Sequence, residues 1–300
     1  MPGTCQTGRN ARHCFWCLDL TIVTCLLMAG ISVWHVPLLA GAELKPETIR
    51  AFEQYAQATE ARIEKELARP GAFLHAQGLP EPWRGIVWDR LQRGEVHVGR
   101  LKTLDATDHV MRAPGGLIHH WIGAVFVPGA TLRQALDVVQ DYDRHQETYT
   151  PEVARSKLLQ RDGNDFKVLY RLRRKSIITV VFNAEYNIKY FPVDAKHCHS
   201  RCRSTRIAEV ADADKPDEHE KPVGDDRGLM WRHYSYWRFE ERSNGTYIEC
   251  ETVTLTRDLP PGTIVESPSP DADIHAKSLR TMLASTRAAV LARVAAAHRL

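Results

Sequence analysis

The chain has 300 residues, 43% of them apolar and 26% charged, a composition of ordinary globular proteins that argues against global disorder. A formal charge of +3, with basic residues spread along the whole chain, speaks against a nucleic-acid partner and against membrane binding by bulk charge.

Residues 1–42 differ from the rest. Arg9 and Arg12 precede an apolar run from Leu20 to Leu39, which closes on Ala40-Gly41-Ala42. Small residues at 40 and 42 fit a signal-peptidase site before Glu43, so the expectation is an exported, periplasmic or secreted protein. The alternative is a retained anchor at 20–39, because ~20 apolar residues span a bilayer. That would associate the protein with a membrane. A lipid anchor at Cys25 fits less well, since Ile22-Val23-Thr24 lacks a small residue before the cysteine. Without the leader, Cys198, Cys202 and Cys250 remain, enough for one internal disulfide. Cys198 and Cys202 lie ~13 Å apart on one strand, too far for a bridge, whereas either could reach Cys250.

Lys45 to Ala68 reads as an amphipathic helix with Ile49, Phe52, Ala56, Ile63 and Leu67 on one face, ended by Arg69-Pro70-Gly71. Trp83, Ile86, Val87, Trp88 and Leu91 suggest a short second helix, and 95–101 a short strand. Residues 43–116 form a helical N-terminal extension whose role the sequence leaves open. A dense β pattern begins at Leu117 and stops at Pro128-Gly129. Thr131 then caps a helix carrying Leu132, Ala135, Leu136, Val138 and Val139.

Strands follow over 152–160 and 166–174, across a turn at 161–165, then over 177–190, where Phe182, Ala184, Tyr186, Ile188 and Tyr190 share one face. Another strand is expected over 198–210, then an acidic exposed loop over 211–228. Residues 229–240 and 246–257 pair across Arg242-Ser243-Asn244-Gly245. The chain ends in a helix over 272–297, approached through Pro268 and Pro270, with Leu279, Met282, Leu283, Thr286, Val290 and Val294 in one stripe.

Hairpin-linked strands imply an antiparallel sheet, and a sheet with an apolar face must cover it. The fold class expected is α+β: a curved sheet of about seven strands wrapped on the long C-terminal helix, as one domain over 117–300. This order, with 122–127 leading into the helix capped by Thr131 and the long helix after Pro270, resembles the START-like helix-grip superfamily. Its members include birch-pollen-allergen-like proteins, polyketide cyclases and lipid-transfer domains. The similarity covers roughly 117–298 and rests on element order, and it implies an internal cavity for a lipid, sterol or other apolar molecule.

No nucleophile elbow, phosphate loop, dinucleotide fingerprint or zinc-binding His-Glu-x-x-His occurs, and no cofactor is expected. His197-Cys198-His199 with Cys202 has metal-ligand chemistry, but on a strand the histidines oppose the cysteines, so no metal site is expected there and an edge strand is the simpler reading. His119 and His120 point to opposite faces, so one could enter the cavity while the other meets solvent or the extension. Arg171, Arg173, Arg174 and Lys175 read as solvated strand-end charges rather than a headgroup site. In 231–239, Trp231, His233, Ser235, Trp237 and Phe239 share a face, opposite Arg232, Tyr234, Tyr236 and Arg238, whose charge places that second face outside.

Aromatic walls with one imidazole and one hydroxyl are typical of ligand pockets. The expected wall is Phe182, Tyr186, Trp231, Trp237, Met282 and Leu283, with His233 and Ser235 as its polar groups. The leading expectation is an exported carrier for a lipid or other hydrophobic small molecule held between sheet and helix. The alternatives are a cavity enzyme of the cyclase or hydratase type, using His233 or His119, and a structural envelope protein with no ligand.

Overall fold

The computed structural model describes residues 42–105, 107–175, 179–258, 273–297 and 299. The leader up to Gly41, with its anchor alternative at 20–39, and Pro268 and Pro270 lie outside the described residues. The strands are β1 (Ala42–Glu43), β2 (His97–Arg100), β3 (Gly116–Pro128), β4 (Val153–Asp162), β5 (Asp165–Lys175), β6 (Thr179–Pro192), β7 (His197–Ala211), β8 (His219–Glu220), β9 (Asp225–Asp226), β10 (Arg232–Arg242) and β11 (Gly245–Arg257). The α-helices are α1 (Pro46–Leu67), α2 (Trp83–Gln92), α3 (Leu132–Val139), α4 (His145–Thr148) and α5 (Ile274–Ala297).

Local chemistry sets the joints between these elements. Asp162 pairs with Asp165 across Gly163-Asn164, and Gly163 takes the positive φ of 56° that the tight turn requires. Arg242 pairs with Gly245 across Ser243-Asn244, so the Asn-Gly signal sits one residue further into β11 than a central turn would place it. Gly245 has φ 144°, and a Cβ there would meet Pro128 Cα at 2.8 Å and Gly129 N at 2.9 Å. Only glycine lets β11 start against the end of β3. Thr131 caps α3 in a reciprocal box: its Oγ1 accepts from Gln134 N–H at 3.2 Å, while Gln134 Oε1 accepts from Thr131 N–H at 2.9 Å.

The sheet runs β2-β3-β11-β10-β7-β6-β5-β4, all neighbours antiparallel, with β8 added to β7. The seven strands expected from the sequence are contiguous within it. The extension contributes β2 and the acidic segment contributes β8, giving a nine-stranded sheet. The segment 197–211 is an interior strand between β6 and β10, not an edge.

On the inner face, α5 buries Ala276, Leu279, Leu283, Thr286, Val290 and Val294. It lies against β3, β2 and β11. Gly123 permits this approach, since a Cβ there would stand 2.6 Å from Leu283 Cδ1 and 3.3 Å from Leu279 Cδ2. Helices α3 and α4 contact α5 as well.

The outer face corrects an expectation. Arg232 is half-buried, and Tyr234, Tyr236 and Arg238 are buried rather than solvated. The extension covers them. Phe52, Tyr55, Ala56 and Ile63 of α1 pack with Trp231, Tyr234, Tyr236, Val253 and Leu255, while Val87 and Leu91 of α2 pack with Ala124, Phe126 and Tyr247. The charges stay buried because α1 brings carboxylates to them. Glu66 pairs with Arg238 at 2.7 Å, Glu60 pairs with Arg203 and accepts from Tyr236 O–H at 3.0 Å, and Glu53 accepts from Tyr234 O–H at 2.6 Å. The sheet is therefore a middle layer, gripped by α5 inside and sealed by residues 43–116 outside.

The acidic segment also differs from a plain exposed loop. It forms β8 and β9, with β9 paired to β1, and it buries Asp226. Its Asp214 and Glu218 pair with Arg171, and Asp214 also pairs with Arg173, which neutralises that basic stretch.

Candidate functional site

Residues directly opposite in an antiparallel ladder share a face. Register therefore assembles the inner wall: Ser235 opposite Cys202 and Thr252, Trp237 opposite Ser200 and Cys250, His233 opposite Thr254, and Thr254 opposite His119. Of the residues expected in the wall, Phe182, Tyr186, His233, Ser235 and Trp237 lie on this face, and Met282 and Leu283 face it from α5. Leu283 is fully buried against Gly123, where it clamps the helix to β3.

Trp231 does not belong to the wall. Alternation stops where β10 begins at Arg232, and Trp231 turns into the cluster under α1, its indole N–H donating to Asp226 Oδ1 at 3.1 Å.

Two groups of polar rings lie between sheet and helix. At the start of α5, the His119 and His275 rings stack with centroids 3.8 Å apart, and His119 Nε2 lies 3.0 Å from Thr256 Oγ1. Nearby, Tyr186 Oη lies 3.5 Å from His233 Nδ1. Further along, Tyr142 and Tyr190 hydroxyls are 2.9 Å apart, and His145 Nδ1 is 2.7 Å from Tyr170 Oη. Thr286 donates its hydroxyl proton to Met282 O, so Tyr149 O–H is the donor in its 3.1 Å bond to Thr286 Oγ1.

Burial dominates the electrostatics. It pushes the imidazoles of His233 and His275 down to about 3, helped by the charge of Arg174, and His119 falls well below its usual value for the same first reason. His145 is pushed down to about 4 by burial. Burial also raises the Tyr149 hydroxyl to about 12 and the Cys202 thiol to about 12. These rings and the thiol are uncharged at neutral pH.

His233, His275, Tyr149 and Tyr170 are each only half-buried. Trp237 and Met282 are likewise only half-buried.

Cys198, Cys202 and Cys250 are free and buried. β10 separates β7 from β11, and Cys202 and Cys250 are offset by two residues across it, so they stand about 12 Å apart, beyond disulfide reach. The cysteines of 197–202 point inward, while His197 turns outward to Asp194 at 2.9 Å and His199 stacks on Phe191 at 4.8 Å. Among the described residues, no group of three or more His, Cys, Asp or Glu could hold a metal ion.

The pair at 119–120 divides between the faces. His119 points to α5, against His275, and His120 faces the extension, with Nε2 2.6 Å from Glu251 Oε1 and Nδ1 2.8 Å from Tyr55 Oη. The sequence reading passed over His275, Tyr149, Tyr170 and His145. A signal existed for two of them: His275 sits four residues before Leu279 on the buried stripe of α5, and Tyr170 alternates with Phe166, Val168 and Leu172 on β5.

Strand, short helices, six strands and a terminal helix, in one antiparallel sheet with that helix across its inner face, define the architecture. The fold is a helix grip. No protein-family model and no curated protein matches the sequence. Similar solved structures include a STAR-related lipid transfer protein fragment from Xanthomonas axonopodis, at 13% identity over 61% of this chain and 95% of that one, with TM-score 0.40. An aromatase/cyclase from Streptomyces sp. R1128 is similar at 12% identity, over 59% and 94% of the two chains, with TM-score 0.40. A human lipid transfer and protein localization domain is similar at 11% identity, over 70% and 97%, with TM-score 0.38.

Proposed function

We propose that this helix-grip protein binds or carries a hydrophobic small molecule held between the sheet and α5. The observation that carries the reading is the set of half-buried rings on the face that α5 covers, His233, His275, Tyr149 and Tyr170, with Trp237 and Met282 half-buried beside them. Apolar ligand surface buried there contributes about 25 cal/mol per Å², so a few hundred Å² suffice for useful affinity. Binding is favoured over acid–base catalysis by His233 or His119, because burial holds these imidazoles well below the range in which a general base works near neutral pH.

Export belongs to the same proposal and rests on the leader pattern ending at Ala42. N-terminal sequencing of the mature protein should begin at Glu43. A chain that keeps residues 1–42 in the membrane fraction would favour the anchor at 20–39 instead. Native mass spectrometry of the purified protein tests the binding reading: a bound small-molecule mass is expected. A chain that carries no guest and takes up no apolar probe would be the packed-shut structural protein.

A further inference from the structure

We infer that removal of the leader completes a buried ion pair: the α-ammonium freed at Glu43 becomes the counter-ion of Asp226 and fixes the start of the extension to β9. The inference rests on the export reading above and deepens it.

Register brings the two groups together. β1 and β9 pair antiparallel, with Ala42 opposite Asp226 and Glu43 opposite Asp225. Leu44 N–H donates to Gly224 O at 2.7 Å. Such exchanges recur at alternate pairs, so the next falls between Ala42 and Asp226. Paired strands lie about 5 Å apart, which puts the Glu43 nitrogen within reach of the Asp226 carboxylate. The bond between Ala42 and Glu43 is also the one that the small residues at 40 and 42 mark for a signal peptidase.

Asp226 is a carboxylate short of a partner. It is 2% exposed, and its Oδ1 accepts from Gly228 N–H at 2.6 Å and from the Trp231 indole N–H at 3.1 Å. Among the described residues, its Oδ2 has no hydrogen-bond partner. Lys221 and Arg227 are both held by Glu209, at 2.6 and 2.7 Å. Burial first, and the charge of Glu209 with it, push the Asp226 carboxyl above its usual range. Around the joint stand the carboxylates of Glu209, Asp226, Asp225 and Glu43 against the cations of Lys221, Arg227 and Arg257. One more positive charge balances them.

Hydrolysis supplies that charge. Water added across the Ala42–Glu43 bond leaves a carboxylate on Ala42, which departs with the leader, and an ammonium on Glu43. In the uncut chain the same nitrogen is a neutral amide. With Ala42 gone from its place opposite Asp226, the ammonium turns there and offers three donors, enough for Oδ2 and the Asp226 backbone oxygen. Pairing a buried carboxylate offsets the cost of its desolvation. β9 follows β1 by about 180 residues, so the peptidase meets the bond in extended chain before pairing covers it. Helix α1 starts three residues on, at Pro46, and the new pair anchors the helix that covers Tyr234 and Tyr236.

The test uses the chain purified after export, its first residue read by N-terminal sequencing. Acylation of the terminal amine as a function of pH, followed by mass spectrometry, should give a midpoint of about 9, where an ordinary α-amine titrates near about 8. Asp226→Asn should return the midpoint to about 8. Selective Nα-acetylation gives a second measurement that needs no substitution. A raised amine pKa stabilises the fold below the ordinary value, and that stability is lost as pH rises through the raised one. Between about pH 7.5 and pH 9.5, Tm should therefore fall further in the free-amine chain than in the acetylated one. An ordinary midpoint, equal slopes, or a first residue other than Glu43 after removal of the leader overturns the inference and leaves export standing. A chain that keeps residues 1–42 removes the export reading and the inference with it.

Discussion

The ring of His119 on β3 lies against the ring of His275 in the first turn of α5, centroids 3.8 Å apart and planes 26° from parallel. Two imidazolium rings would repel at that contact. The groups around them are Thr256, Asp273, Arg100, Arg174 and His233, so a proton arriving on either ring meets more positive than negative charge.

Acid should therefore loosen the grip. A histidine whose folded pKa is lowered binds its proton first in the unfolded chain, so stability falls as pH drops below about 6.5 and goes on falling towards about 3 for His233 and His275. Each contributes a loss of roughly 1 kcal/mol by pH 5.5. Thermal melts between pH 7 and pH 5.5 should show a falling Tm, and His275→Phe should flatten the slope. An unchanged slope in that variant would mean that His275 is already charged in the folded state.

Gly123→Ala should destabilise by about 1–3 kcal/mol, because the new methyl would stand 2.6 Å from Leu283 Cδ1 and 3.1 Å from His97 O. Urea denaturation of Gly123→Ala, Leu283→Ala and the double variant measures this. The double variant should lose less than the sum of the two single losses, since the shortened leucine makes room for the methyl.

Arg238→Met should cost about 3–5 kcal/mol by leaving Glu66 and Glu249 without their buried cation. Burial alone would raise the Glu66 carboxyl, but the hydrogen bond from His75 and the charges of Arg238 and Arg62 hold it well below the usual range. Chemical denaturation should give a lower midpoint and, if the extension detaches first, an early transition reported by Tyr234 and Tyr236 on the sheet side.

The two tryptophans of the β10 region should separate stability from binding. Trp231→Phe should lower Tm, by removing the donor to buried Asp226, and leave guest occupancy unchanged. Trp237→Ala should do the reverse, with a small change in Tm and a clear loss of bound mass. Equal effects of both on occupancy would contradict the placement of the guest on the inner face.

Much of the architecture was legible because it is written in local period. Alternation on β6, the box at Thr131 and the 3.6-residue stripe on α5 each follow from side-chain direction along a single element. The same logic puts Phe182, Tyr186, His233, Ser235 and Trp237 on one sheet face and Met282 and Leu283 on α5, where the structure has them. It failed at Trp231, because one residue before Arg232 the chain is no longer extended and alternation has no meaning. It also took the charge of Arg238 as a sign of solvent, since nothing local says that Glu66 on a helix far away in sequence will meet it.

The amino-acid order alone determined the seven long strands, the four longer helices and which residues share a face within each. Tertiary structure decided what covers each face: α5 on one side, α1 and α2 on the other, and with them the lowered basicity of His119, His145, His233 and His275. Periodicity is a property of neighbours along the chain, whereas desolvation and ion pairing depend on distances that only the closed fold creates.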